Sequence, residues 1–345
     1  MSKNKNKKDV TLLGFIGETC KAVAEAQADS NSPVATVADV EDIVREMVNE
    51  TFINSVSAKS DAPTAEVITL GGEKMFFANG TSIVIKERED GEEGALITWD
   101  GGELLIDNQT TVFGGRHDDE TLTNSDIVME GGYVRHVIGG GLHKSHTVKS
   151  HVVMKGGKVR SIRGGAADQW ISTCTCTNRI YEGDISDTWA VVEDVTMELL
   201  GGEVEAFVYG GGCGYSSVKT VSMVVEDGFK ATEGWVTAGG ANGHEGVGAL
   251  IINGGEFNIV QGINRGTMDA IDIVVNGGKI AKLFAGGEIP FIGTPEKPNS
   301  NDPHGTFKSC KVTLNGGEIT EFSLGGNAYA EIVEGDPCVT VVDNR

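Results

Sequence analysis

Four of the seven histidines fall within a short stretch, at His136, His143, His146 and His151. His143 and His146 form an HxxH pattern, and imidazole nitrogens are common zinc ligands. However, metalloproteases need HExxH on a helix, and zinc fingers pair histidines with cysteines at fixed spacings. Neither context surrounds these residues, so the sequence predicts turn histidines, with no metal and no cofactor.

Two further motifs could carry chemistry. Cys174 and Cys176 alternate, so on a strand they would share one face, where they could bind a metal or a partner thiol, or simply be small strand residues. The glycine-rich run at 210–214 resembles part of a phosphate-binding loop. No GK[ST] follows it and no helix can start after it, which excludes phosphate binding there.

Acidic residues cluster at 118–120 and again at Glu182, Asp184 and Asp187. Glycoside hydrolysis needs two carboxyl groups facing each other across a sugar, about 5 to 9.5 Å apart. Because the chain has 50 acidic residues, some clustering is expected without function. A solvated acidic surface is the favoured interpretation, and a polysaccharide depolymerase is the alternative.

Four aromatic residues lie in or near predicted turns and could stack on sugar rings: Trp170, Tyr181, Trp189 and Trp235. Aromatic faces bind glycans in this way. Burial under a loop, or within a contact between subunits, would explain the same residues equally well. They are therefore predicted only as candidate glycan contacts.

Composition limits the classes of partner. The formal net charge is −22, which argues against nucleic acid, because phosphate binding needs clustered Lys and Arg. No apolar run is long enough to span a bilayer, so no membrane partner is expected. The six cysteines are scattered without secreted-scaffold spacing, which indicates a reducing compartment.

Residues 1–56 are predicted to form a helical segment for attachment or oligomerisation, followed by a linker at 57–66. Val37, Val40, Val44 and Met47 follow the 3-4-3 spacing of a coiled-coil stripe. Packing against a preceding helix would produce the same spacing. A short helix is marginal alone in water, which favours self-association through this stripe.

From residue 67 to 345 one unit recurs: a short alternating strand, a Gly-Gly pair, then a second short strand. The predicted fold is mainly β, a repetitive β-solenoid (parallel β-helix) with three strands per circuit after the N-terminal α-helical segment. An antiparallel array of hairpins is the alternative. Insertions at 166–193 and 288–306 interrupt the period. The glycines predicted to form stacked turns are Gly71, Gly72, Gly101, Gly102, Gly131, Gly132, Gly156, Gly157, Gly201, Gly202, Gly254, Gly255, Gly277, Gly278, Gly316 and Gly317, with Gly228 in a degenerate copy.

This layout, with PVATVADVEDIVREMVNE at 33–50 as its local motif, resembles the head-fibre and capsid-decoration proteins of tailed bacteriophages. The resemblance implies a structural, non-enzymatic virion protein, assembled in the host cytoplasm and displayed on the capsid surface. It implies a homo-oligomer, a trimer rather than a dimer, that binds the major capsid protein through its N-terminus and contacts glycans. A tailspike-like depolymerase and a cell-surface adhesin are the alternatives.

Overall fold

The computed structural model describes residues 65–70, 73–142, 144–167, 190–214, 216–241, 243–264, 266–286, 306–323 and 339–345. These residues belong to one compact unit, Pro63–Arg345. The predicted helical segment at 1–56, with Val37, Val40, Val44 and Met47, lies outside the described residues. So do most of the predicted linker and most of both predicted insertions.

The predicted fold class is wrong. The described residues contain no helix, and their strands join into one curled, mixed sheet of 19 strands. Each repeat contributes two strands instead of the three that the solenoid prediction required, and the first repeats pair antiparallel. None of the described residues forms a helix long and apolar enough to cross a membrane.

The strands of the described residues are numbered in chain order. They are β1 Glu66–Leu70, β2 Glu73–Phe77, β3 Ile83–Lys86, β4 Ala95–Trp99, β5 Gly102–Ile106, β6 Thr111–Phe113, β7 Thr121–Met129, β8 Tyr133–Ile138, β9 His146–Met154, β10 Lys158–Arg163, β11 Ala190–Tyr209, β12 Ser216–Thr237, β13 Gly243–Ile252, β14 Glu256–Gln261, β15 Gly266–Val275, β16 Lys279–Phe284, β17 Thr306–Leu314, β18 Glu318–Ser323 and β19 Val339–Asp343.

The earliest strands of the described residues pair antiparallel. Strand β1 pairs with β2, and β4 pairs with β5. Trp99 pairs with Gly102, so the loop between β4 and β5 consists of Asp100 and Gly101, and Gly101 has a positive φ of 100°. A two-residue Asp-Gly loop suits a hairpin because its φ angles match the twist of the flanking strands. These two repeats follow the hairpin alternative.

From β6 onward the pairing is parallel and links equivalent strands of successive repeats. The strands before the glycine pairs, here called first strands, pair in the order β7, β9, β11, β12, β13, β15, β17 and β19. The strands after the pairs, here called second strands, pair in the order β6, β8, β10, β11, β12, β14, β16 and β18. Strands β11 and β12 are long, and each of them serves as a first strand and then, without a break, as a second strand.

The later glycine pairs are stacked on one another. Their second members have φ between 80° and 98°, a left-handed conformation that costs little only without a β-carbon. Space is also missing, since a β-carbon on Gly157 would lie 2.7 Å from the carbonyl oxygen of Gly132. The residues in this conformation are Gly132, Gly157, Gly202, Gly255, Gly278 and Gly317.

A continuous apolar core lies between the first and second strands. Inward side chains repeat at one position from strand to strand, because parallel register stacks equivalent residues. The first strands contribute Ile127, Val152, Met197, Met223, Leu250, Ile273 and Val312. The second strands contribute Val137, Ile162, Val208, Val236, Val260 and Leu283.

Two ladders of polar side chains follow the outside of the sheet. One is an amide ladder, in which each asparagine donates to the preceding one at 2.7–2.8 Å: Asn253, Asn276, Asn315 and Asn344. The other is a charge ladder at the first position of the second strands, which alternates in sign through Lys158, Glu203, Lys230, Glu256, Lys279 and Glu318. Opposite charges in direct register favour this pairing over a shifted one.

Candidate functional site

The second strands are irregular at one position, where β11 and β12 are bulged. Between Val204 and Phe207, strand β11 holds two residues where β10 has Arg160. Strand β12 holds three residues, 232–234, where β14 has Asn258. Bulges of this kind redirect the side chains that follow them. The residues that follow are Phe207 and Trp235, which pair with each other in register.

Phe207, Tyr209 and Trp235 form an aromatic cluster beside the bulges. The ring centroids of Phe207 and Trp235 are 4.6 Å apart, and those of Phe207 and Tyr209 are 5.8 Å apart and stacked. Phe207 and Trp235 are half-buried, whereas Tyr209 is only 2% exposed. Two aromatic rings therefore reach the surface and rest on a third that is buried. Phe207 and Trp235 are called the aromatic platform below.

The hydroxyl group of Tyr209 fixes the platform from behind. It accepts hydrogen bonds from the indole Nε1 of Trp235 at 3.3 Å and from the Nδ2 of Asn264 at 2.9 Å. The guanidinium of Arg163 lies 5.9 Å from the Tyr209 ring centroid, within range of a cation–π contact. Because a buried polar network of this kind holds its members in one geometry, the Trp235 ring is oriented before any ligand arrives.

The column of side chains that contains the platform is polar at one end. Phe207 stands in register with Ser161, which stands in register with His136. His136 is 6% exposed, and its Nδ1 lies 2.6 Å from the Ser161 hydroxyl. Burial, aided by the nearby positive charges of Arg163 and Arg135, lowers the pKa of His136 to about 2. The imidazole is therefore neutral and serves as a hydrogen-bonding core residue.

Of the four predicted glycan contacts, Trp235 is the one within the described residues. Trp170, Tyr181 and Trp189 lie outside them, as do Gly71 and Gly72. Phe207 and Tyr209 were not predicted as site residues, although the sequence FVYGGG contains one indication of them. Tyr209, the last residue of this second strand, is aromatic, whereas β8 and β10 carry Ile138 and Arg163 at the paired positions.

His146 and His151 lie on strand β9, and not in turns as the sequence predicted, while His143 lies outside the described residues. The Nδ1 of His151 is 3.0 Å from Asp126 and its Nε2 is 3.1 Å from Glu198. The Nε2 of His146 is 3.0 Å from Glu193. These contacts join neighbouring first strands on their outer side. Within the part of the chain that the structure describes, no group of three or more His, Cys, Asp and Glu side chains is arranged to hold a metal.

Two carboxylates of the acidic cluster at 118–120 contact an arginine and so have a structural role. Asp118 accepts a hydrogen bond from the Nε of Arg116 at 2.7 Å, and this bond lowers the pKa of the carboxyl. Glu120 lies 3.1 Å from the same guanidinium. Both carboxylates are thus used by one arginine, which leaves neither free to protonate a leaving group. Glu182, Asp184 and Asp187 lie outside the described residues, as do Cys174 and Cys176.

The fold and the platform define the described unit as a repetitive β-sheet protein with a preformed aromatic surface. No known protein family, curated protein or solved structure matches the chain.

Proposed function

We propose that this chain is a structural protein whose repeated sheet displays a glycan-binding surface, and that Trp235 and Phe207 provide the stacking contact. The observation that carries the proposal is the half-buried Trp235 ring, which reaches the surface and is held in place by the Tyr209 hydroxyl. Amphipathic rings with a fixed orientation bind the apolar face of a sugar at low entropic cost. The redirecting bulges support the proposal, because they present the platform at the surface.

The test uses the full-length protein and defined oligosaccharides. Saturation-transfer NMR should show sugar protons in contact with aromatic side chains, and titration should show binding weakened roughly tenfold by Trp235→Ala. Trp99→Ala is the matched control, because Trp99 is also half-buried and packs on Phe76 at 5.6 Å. If Trp235→Ala binds sugars as tightly as the wild type does, the platform is not the binding contact, and if the wild type binds none, the glycan function is disproved.

The proposed setting is the surface of a virion. In this proposal the protein is a homotrimer attached to the major capsid protein by residues 1–56. Support comes from the sequence layout and its resemblance to head-fibre and decoration proteins. Repetition of weak glycan sites around a symmetry axis would multiply their strength by avidity.

Mass spectrometry of purified virions tests this setting, together with sedimentation of the recombinant chain. We expect the chain in the particle, a trimer in solution, and loss of capsid binding when residues 1–56 are deleted. A monomer that is absent from virions would refute the setting and leave the glycan-binding test unaffected.

A further inference from the structure

A recess of about 340 Å³ lies on the outer side of the second strands, next to the charge ladder. Its lining comes from β12, β14, β16 and β18, so it runs across successive strands. Charged side chains of the ladder, Glu256, Lys279 and Glu318, occupy one side. This volume is within the usual range of small-molecule sites. The recess is called the trough below.

The trough lies where the second strands share a gap in their paired register, here called the bend. Asn258 and Ala281 lie between paired positions, since Phe257 pairs with Ile280 and Ile259 pairs with Lys282. The bend positions along the trough are Asn258, Ala281 and Thr320. Ala281 leaves the middle of the trough open, while the amide and hydroxyl groups of its neighbours offer hydrogen bonds to a polar ligand.

Thr232 of the trough and Trp235 of the aromatic platform lie three residues apart on the same strand. The intervening Gly234 is buried, and a β-carbon there would collide with the carbonyl oxygen of Ala206. The residues that follow the bend positions form a column in register, from Trp235 to Ile259 and Lys282. A ligand on the bend positions would therefore lie next to the column that contains Trp235.

Charge indicates what such a ligand would be. Lys279 stands in register between Glu256 and Glu318, so the trough lining has one positive and two negative groups. The whole chain carries −22. An acidic polysaccharide would be repelled by both the local and the overall field. A neutral glycan would instead meet hydrogen-bonding groups without an electrostatic penalty.

We infer that the trough binds a linear, neutral glycan, one sugar of which stacks on the aromatic platform. The inference rests on the proposed glycan function and adds the ligand class: an extended, uncharged chain that crosses at least three strands. Binding should therefore strengthen with chain length, because each added sugar reaches another strand. The gain should depend on the bend positions and not on Trp235 alone.

The experiment is a calorimetric titration of the full-length protein with linear glucan and mannan oligosaccharides, from disaccharides to octasaccharides. We expect affinity to rise roughly tenfold or more over this series. Ala281→Trp should remove the rise, whereas Trp235→Ala should weaken every length. Ala249→Trp, on the outer side of a first strand, is the matched control and should keep the rise. Equal thermal midpoints would verify that each variant folds.

Different failures have different meanings. If disaccharides bind through Trp235 but length has no effect, or if Ala281→Trp keeps the length dependence, the trough inference is overturned and the glycan function stands. If uronic-acid oligosaccharides bind as tightly as neutral ones, the charge argument is wrong. If no oligosaccharide of either kind binds, the inference and the proposed function both fail.

Discussion

The Oε1 atom of Glu245 lies 2.7 Å from the point where a β-carbon would stand on Gly211, so the glycine makes room for the carboxyl group. Glu245 is completely buried on β13, in register with Val218 and Met268. The backbone amides of Gly240 and Gly212 lie beside the carboxyl and act to lower its pKa. Neither makes a hydrogen bond of ordinary geometry with it, and burial dominates, raising the pKa of Glu245 to about 8.

Stability should therefore depend on the protonation of Glu245. The folded pKa of about 8 is above the ordinary value of 4.5, so between these pH values the folded chain holds a proton that the unfolded chain has lost. Stability then falls as pH rises through this window and levels off above it, by an amount on the order of 5 kcal/mol. Glu245→Gln should flatten this part of the profile, measured as the free energy of unfolding in denaturant from pH 4 to pH 9.

Glu233→Gln provides the control, because Glu233 is exposed on the neighbouring strand β12. Its profile should keep the wild-type slope. A Glu245→Gln protein that loses stability with pH as steeply as the wild type would show that this carboxyl is ionised in the folded state.

The Tyr209 hydroxyl should contribute more to stability than an exposed tyrosine hydroxyl does. Tyr209→Phe leaves the Nδ2 of Asn264, a residue 3% exposed, without its acceptor. An unsatisfied buried group costs about 1–3 kcal/mol. Thermal and denaturant unfolding should show this loss, and the fluorescence of Trp235 should change as its ring loses a partner.

Tyr133→Phe is the matched control for this prediction. The Tyr133 hydroxyl donates to Glu205 at 3.0 Å, but Tyr133 is only half-buried, so water can replace the lost bond. Equal losses in the two variants would contradict the view that burial gives the Tyr209 hydroxyl its importance.

The stacked glycines should tolerate alanine less well than an open glycine with the same conformation. Gly157 and Gly91 both have positive φ, at 83° and 74°, which costs a residue with a β-carbon about 1–2 kcal/mol. Around Gly91 nothing lies within 4 Å of the added carbon, whereas at Gly157 it meets the Gly132 carbonyl oxygen at 2.7 Å. Gly157→Ala should thus cost clearly more than Gly91→Ala in unfolding free energy. Similar costs would mean that backbone conformation, and not stacking, requires glycine at this position.

The charge ladder predicts a salt-dependent effect. Lys279→Glu places a third carboxylate in direct register between Glu256 and Glu318, and each like-charge contact should cost about 0.2–1 kcal/mol. Because these groups are exposed, added salt should reduce the loss. Melting at low and high salt measures it, and the double variant Lys279→Glu with Glu318→Lys should recover part of the stability, because it restores an opposite-charge contact at this position. A loss that is unaffected by salt would indicate a packing role for the Lys279 side chain.

The repeats were visible in the sequence, but the way their strands pair was not. The Gly-Gly pairs at 101–102 and 156–157 have the same sequence, yet the first lies at the end of an antiparallel hairpin, with Gly102 already paired in β5, and the second stacks in a parallel sheet. The number of strands per repeat was overestimated, since three per circuit were predicted and the repeats of the described residues contribute two.

The candidate site was predicted in part. Trp235 was found because a tryptophan beside a turn is conspicuous, but Phe207 and Tyr209 become its partners only through two bulges. A bulge is recognised by counting the residues of one strand against those of its neighbour, and this count requires the pairing register of the two strands. Glu245 gave no signal, because the space for its carboxyl depends on Gly211, on an earlier repeat, as well as on Gly240 just before β13.

The bulges in β11 and β12 also separate surface residues, whose number can change, from the interior, whose spacing must stay constant. Regular pairing resumes at Phe207 and Trp235, and the inward residues Val208 and Val236 remain in register after the extra residues. Residues can therefore be added or removed at 205–206 and 232–234 while the interior keeps its spacing. New ligand specificities could therefore arise at this surface through small changes in the number of bulge residues, while the rest of the protein stays unchanged.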